Sequence, residues 1–140
     1  MNQVASSKSA NGKRVMMVVD DLALKRAILN EYFKDNYRIE QMENGEYAWN
    51  YLQNNHENVA IIMLDLYMPV MDGFQFMKNM RSDDIYKDIP VIITSQAGEQ
   101  LNQVMQDNNA DGILTKPYVK EEAVQVVSDA IEKTTEKSIR

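Results

Sequence analysis

The sequence has no cysteine, one histidine and one tryptophan among its 140 residues. Without cysteine there is no disulfide, no thiolate nucleophile and no cysteine-ligated zinc. A lone His56 excludes a multi-histidine metal site. Long apolar runs are missing as well. The longest strictly apolar stretch, Val59 to Leu64, falls far short of the ~20 residues a membrane span requires. The first fourteen residues hold no apolar stretch of the signal-peptide kind. Positive charge is scarce, with 15 Lys and Arg against 21 Asp and Glu, a net charge of −6. A surface of that sign repels phosphates, so direct nucleic-acid binding is not expected. The five glycines form no phosphate-cradling motif. What is present is 44% hydrophobic and 26% charged, the composition of one soluble domain with enough chain to bury a core. The expected setting is cytoplasmic, with no membrane attachment.

Residues 1–12 are rich in Ser, Asn and Lys and lack periodicity, which reads as a disordered polar leader. A folded domain is expected over 13–135, with 136–140 as a tail or the start of a linker. Within it, apolar runs alternate with helical patterns. Val15 to Val19 is a continuous apolar run closed by Asp20 and Asp21, as in a central parallel strand. Leu24, Ile28, Leu29, Tyr32 and Phe33 recur at helical spacing. Arg38 to Met42 alternates weakly, like an edge strand. Asn44-Gly45-Glu46 opens a helix carrying Ala48, Tyr51 and Leu52. Val59 to Leu64, the strongest strand pattern, ends at Asp65. Phe74, Met77 and Met80 mark a third helix. Val91 to Ile93 ends at Thr94-Ser95, and Leu101, Val104 and Met105 give a short fourth helix. Ile113-Leu114 is a brief fifth strand before Lys116-Pro117. Val119, Ala123, Val126, Val127, Ala130 and Ile131 make the cleanest amphipathic helix. Five strands alternating with five helices predict a parallel α/β sheet with helices on both faces.

Open sheets of this kind bind ligands beyond the carboxyl ends of their strands, where the strand order reverses. The polar residues fall at those ends: Asp20 and Asp21 after the first strand, Asp65 after the third, Thr94 after the fourth and Lys116 after the fifth. If the first and third strands are neighbours, three carboxylates converge, flanked by a hydroxyl and an ammonium. Taken singly, each has a plain alternative. Asp21 could cap the first helix, Asp65 could end a strand, Thr94 or Ser95 could cap the fourth helix, and Lys116 could be a solvated surface lysine. Together they carry a cost, because packed carboxylates repel one another. A hard divalent cation resolves that repulsion, and Mg²⁺ takes one or two carboxylates, waters and phosphate oxygens. A carboxylate nucleophile, a metal, a lysine and a hydroxyl suit phosphoryl transfer to an aspartate.

These residues stand in segments that resemble the receiver domains of two-component response regulators. The segments are Val18-Val19-Asp20-Asp21, Ile61 through Pro69, Met71-Asp72-Gly73, Ile89 through Ser95 and Thr115-Lys116-Pro117, with Asn44-Gly45 ahead of the second helix. The resemblance runs from about Lys13 to about Lys133. It implies a flavodoxin-like receiver fold with strand order 2-1-3-4-5. It implies that Asp65 is the phosphoacceptor and that Asp21 and Asp65 coordinate Mg²⁺, with Asp20 assisting and the Tyr67 carbonyl as a further ligand. Lys116 is then expected to pair with the phosphoryl group across a cis bond to Pro117, and Thr94 to be the switch hydroxyl. The implied donor is a sensor histidine kinase or phosphotransfer protein. An effector domain or partner protein would read the surface of the fourth helical pattern, Glu99 to Asn109, with the fifth strand and last helix. The implied role is signalling, with no catalysis beyond the domain's own phosphorylation and dephosphorylation.

Two positions depart from the resembled pattern. Ile113 stands where the family often has a switching Tyr or Phe, three residues before the lysine. Ser95 stands where Ala is common, and its larger side chain narrows the path to Asp65. Tyr67 and Gln96 flank the site and are expected to tune phosphoryl lifetime. His56 reads as an exposed loop residue, Trp49 as packing, and the ten Met residues as adaptable core filling. The segment Glu99 to Asn109 contains no Lys or Arg, so it lacks the basic positions used by symmetric winged-helix regulator dimers. Two rival readings are a haloacid dehalogenase-type phosphatase and an inactive receiver-like interaction module. The phosphatase needs a second Asp two residues after the nucleophile, where Tyr67 stands, and so has no donor for the leaving group. The inactive module usually lacks an acidic or lysine position, and all are present here. A flavodoxin would need a Ser/Thr-rich loop after the first strand, and none follows.

Overall fold

The computed structural model describes residues 12–68, 70–96 and 101–139, and the side chains of 101 and of 136–139 are left aside. Nearly all of the expected polar leader lies outside the described residues. β1 (Val15–Val19), β2 (Arg38–Met42), β3 (Val59–Asp65), β4 (Val91–Gln96) and β5 (Gly112–Lys116) form one sheet in the order β2-β1-β3-β4-β5. All four pairings are parallel. The helices are α1 (Ala23–Phe33), α2 (Gly45–Asn55), α3 (Gly73–Arg81), α4 (Leu101–Asp107) and α5 (Lys120–Ile139). The expected architecture and strand order are thus both observed.

The continuous apolar runs explain the two central strands. Every residue of β1 and β3 is buried, as a strand covered on both faces requires. Alternate side chains serve opposite layers. Val15, Met17 and Val19 point toward α2 and α3, where they meet Ala48, Leu52, Phe76, Met77 and Met80. Met16 and Val18 point the other way, toward Leu29 and Phe33 of α1 and Ala123, Val127 and Ala130 of α5. Full burial of such side chains contributes ~1.5–3 kcal/mol each. β2, with only Met42 buried, is the polar edge anticipated from its weak alternation.

Three details differ from the sequence reading. Leu24 carries the helical spacing of α1 but is 71% exposed, because only Leu29 and Phe33 of that helix are buried. His56 is half-buried in a 3₁₀ turn (His56–Asn58), its ring edge-on to Tyr86 at 5.4 Å. β4 and β5 are longer than their apolar runs, because pairing of Asp65 with Thr94 and of Gln96 with Lys116 carries polar residues into the ladder. Trp49 is packing, as expected, edge-on to Phe76 and Tyr86 at 6.0 and 5.3 Å.

The chain leaves β1 toward β2 on one side and toward β3 on the other. The reversal opens a crevice at the carboxyl ends of β1 and β3. Two glycines let loops close over that crevice. A Cβ on Gly73 would collide with the Asp65 carbonyl and lie 2.6 Å from Leu66 Cα, and a Cβ on Gly45 would collide with the Met71 carbonyl. Gly73 N–H donates to Leu66 O at 2.9 Å, and Gly45 N–H to Met71 O at 2.9 Å. Asn44 and Asp72 cap α2 and α3 through bonds from Tyr47 N and Gln75 N.

Candidate acidic and metal centre

Asp20, one residue past β1, is 2% exposed. Its backbone is held on both sides, with N–H donating to Met42 O at 3.1 Å and its carbonyl accepting from Arg26 at 2.7 Å. One carboxylate oxygen accepts from Leu22 N–H at 2.9 Å. Its other oxygen is buried with no hydrogen bond, 3.4 Å from the Lys116 ammonium. Asp21 beside it is exposed and does not cap α1, whose cap position, Leu22, offers no side-chain bond. Helix capping is therefore not what the Asp21 carboxylate does.

Asp65 closes β3 and is 6% exposed. Its Oδ1 accepts from Tyr67 N–H at 3.2 Å, and its Oδ2 lies 3.8 Å from Lys116 Nζ. Lys116 ends β5 at 7% exposure, so it is not a solvated surface lysine. Its bond to Pro117 is cis, as the resemblance implied. Thr94 is paired with Asp65 in the register of β3 and β4, is 3% exposed, and its hydroxyl is buried without a hydrogen bond. It lies within β4, which runs on to Gln96, and so does not cap α4. One oxygen each from Asp20, Asp21 and Asp65 come within 4.8 Å of one another.

The electrostatics follow from that packing. Burial pushes the Asp65 carboxyl up from 3.8 to about 6; the Tyr67 N–H and Lys116 oppose the rise, and Asp20 and Asp21 add to it. A cation here would relieve the repulsion. The donor set is all oxygen and partly buried, and Asp20 Oδ2, 3.4 Å from the Lys116 ammonium, has no hydrogen bond. Such a set fits a hard divalent ion such as Mg²⁺.

The side chains named from the sequence therefore meet in one place: Asp20, Asp21, Asp65, Thr94 and Lys116. Tyr67 contributes its N–H to Asp65, while its ring is 61% exposed and edge-on to Phe74. Ile113 turns instead into the core beneath α2 and α3. Sequence reasoning missed Arg26, which steadies the backbone of Asp20, and Tyr118, whose hydroxyl is buried close to the site. The sequence signal for Tyr118 is an aromatic residue directly after Lys116-Pro117.

Comparison with known proteins gives one family. Residues 16–128 match the response regulator receiver domain. A transcriptional regulatory protein of Staphylococcus aureus (strain NCTC 8325 / PS 47), SrrA, is 31% identical over 121 residues, covering 85% of this chain and 48% of that protein. The 3',5'-cyclic-nucleotide phosphodiesterase regA of Dictyostelium discoideum is 29% identical over 120 residues, covering 83% of this chain and 15% of that protein. The chain thus spans half or less of these relatives. Among solved structures, the Vibrio cholerae chemotaxis protein CheY4 superposes with a TM-score of 0.75 at 26% identity, covering 84% of this chain and 98% of that one.

Proposed function

The chain belongs to the response regulator receiver domain family of two-component signalling, and from that premise we propose that Asp65 is its phosphoacceptor. The observation that carries the reading is the convergence of three carboxylates at the β1/β3 crevice, two of which, Asp20 and Asp65, face the buried Lys116 ammonium at 3.4 and 3.8 Å. Asp65 is buried enough to be dry, yet a pKa of about 6 leaves it mostly ionised at neutral pH. Its carboxylate oxygen attacks the phosphorus of a phosphohistidine or a small phosphodonor. The bond from phosphorus to the donor nitrogen or oxygen breaks, and the product is an acyl phosphate on Asp65.

Each neighbour then has a role set by its atoms. Lys116 places a positive charge against the added phosphoryl oxygens. Thr94 offers a hydroxyl with no partner in the resting state. The Tyr67 N–H orients Asp65 Oδ1, so that the outer oxygen faces Lys116. Asp20, Asp21 and Asp65, with the Tyr67 carbonyl, would hold Mg²⁺, which supplies charge neutralisation at the phosphoryl group when bound. Loss of the phosphoryl group by attack of water returns the free carboxylate, and we assign the chain no turnover of any other substrate.

The donor in this reading is a sensor histidine kinase or phosphotransfer protein, met in the cytoplasm. Among the described residues no helix is long and apolar enough to cross a membrane. The output is a population change on the α4, β5 and α5 surface, read by an effector domain or partner protein. Acetyl phosphate with Mg²⁺, followed by intact-mass spectrometry, tests the acceptor chemistry. The protein should gain one phosphoryl group with Mg²⁺ and none when EDTA removes it. Equal modification in both conditions would refute a metal-assisted acceptor site.

A further inference from the structure

Asp20 and Asp21 stand in the short link between β1 and α1. The link carries one buried and one exposed carboxylate, and both reach the acidic cluster. A helix cap does not hold it, since Leu22 at the cap position offers no side-chain bond. Its backbone is held by partners from two other elements. Asp20 N–H donates to Met42 O of β2 at 3.1 Å, and the Asp20 carbonyl accepts from Arg26 Nη1 of α1 at 2.7 Å.

Those two bonds restrain the peptide planes on either side of Asp20 Cα. A peptide unit is planar and spans the Cα atoms of both its residues. Met42 holds the plane shared by Val19 and Asp20, and Arg26 holds the plane shared by Asp20 and Asp21. Asp21 Cα lies in the second plane, so the Asp21 side chain follows the Asp20 carbonyl. Arg26 is braced in turn. Its backbone N–H donates to Leu22 O at 3.2 Å, and its Nε donates to Gln41 Oε1 on β2 at 3.2 Å. Gln41 is paired with Val18 of β1 in the sheet register. The guanidinium therefore ties α1 to the link and to the edge strand. By charge alone its position opposes a divalent cation held by the neighbouring carboxylates.

We propose that Arg26 is a positioning residue of the metal centre: by holding the Asp20 carbonyl it fixes the Asp20–Asp21 peptide, and so sets the Asp21 carboxylate where it joins Asp20 and Asp65 on a hard divalent cation. The proposal rests on those three carboxylates holding Mg²⁺. Groups that orient metal ligands without touching the ion commonly govern affinity about 10–100-fold. Arg26 acts on the backbone of its ligands, so the lower end of that range applies.

Mg²⁺ affinity, measured by titration calorimetry on the full metal-free chain, is the test. Arg26→Gln removes the guanidinium and should weaken Mg²⁺ binding about tenfold. The sign is decisive, because loss of a positive charge without loss of position would tighten it. Arg26→Lys keeps the charge and a donor that reaches the carbonyl, and should bind Mg²⁺ more tightly than Arg26→Gln. A second readout needs no metal: in EDTA the NMR amide signals of Asp21 and Leu22 should shift in Arg26→Gln, while those of β3 stay in place. Tighter or unchanged Mg²⁺ binding in Arg26→Gln would overturn the proposal, as would Arg26→Lys binding no better than Arg26→Gln. Failure of Arg26→Gln to fold in EDTA, or amide shifts spread over β3, would show a structural role only and overturn it too. If the wild type binds no Mg²⁺, the metal reading fails and takes this proposal with it. Wild-type binding that Arg26→Gln leaves intact refutes the positioning role alone.

Discussion

Replacing Asp65 by Asn should stabilise the metal-free protein at neutral pH and leave it unchanged in acid. Burial, with Asp20 and Asp21 behind it, raises the Asp65 carboxyl from 3.8 to about 6 against the pull of the Tyr67 N–H and Lys116. The folded state therefore holds this proton more tightly than the unfolded state. The stability that follows is fully present below about pH 3.8 and is lost as pH rises through about 6. At about 1.36 kcal/mol per unit, the interval corresponds to about 3 kcal/mol, an upper limit for the cost of ionising Asp65 in the fold. Asn matches the shape and carries no charge. Urea melts in EDTA at a series of pH values, comparing wild type with Asp65→Asn, measure the difference directly. It should grow from near zero at about pH 4 toward that upper limit near pH 7.5. Mg²⁺ should restore stability to the wild type, by mass action on the folded state, and little to the variant. A difference that does not change with pH, or a variant less stable than wild type at pH 7.5, would refute the argument that the carboxylate is held at an energetic cost.

Lys116→Met removes the cation that faces Asp20 and Asp65 at 3.4 and 3.8 Å. It should lower the metal-free stability at pH 7 by about 3 kcal/mol, read from urea melts, because two buried carboxylates lose their partner. Thr94→Ala should still take beryllofluoride at Asp65 but respond weakly in the NMR shifts of α4 and β5. Hydrogen bonds to a charged group are worth roughly 1.5–3 kcal/mol each, so Thr94 and Lys116 together supply roughly 3–6, and inverting a 1:99 equilibrium takes about 5.5. A full wild-type shift pattern in that variant would place the coupling elsewhere. Gly73→Ala should cost about 1–3 kcal/mol in thermal melts, because its Cβ would collide with the carbonyl of Asp65 and displace the loop that follows it.

Much of this molecule was legible in its sequence because apolar runs and helical spacing report burial directly. β1 and β3 read as central strands and are wholly buried. The strand-end carboxylates, hydroxyl and ammonium were found because parallel strands deliver their carboxyl ends to one edge of the sheet. What escaped was set by tertiary geometry. Leu24 keeps the helical period yet faces out, since periodicity does not say where the packing layer ends. His56 is drawn inward by Tyr86, a partner distant in the chain. Tyr118 escaped for a related reason. Its ring belongs to the layer under α1 and α5 while its hydroxyl is buried without a hydrogen bond, and no spacing rule joins those two facts.

The central claim is that the phosphoryl group is carried by Asp65 and by no other residue. An acyl phosphate is reduced by borohydride to the alcohol, which marks the modified aspartate permanently as homoserine. Treating the protein with acetyl phosphate and Mg²⁺, reducing it, and mapping the peptides by mass spectrometry locates the mark. The account predicts homoserine at position 65 in the wild type and no reduced residue in Asp65→Ala. A mark at Asp20 or Asp21, or none in the wild type despite bound Mg²⁺, would contradict it; the second result would leave a receiver-shaped interaction module in its place.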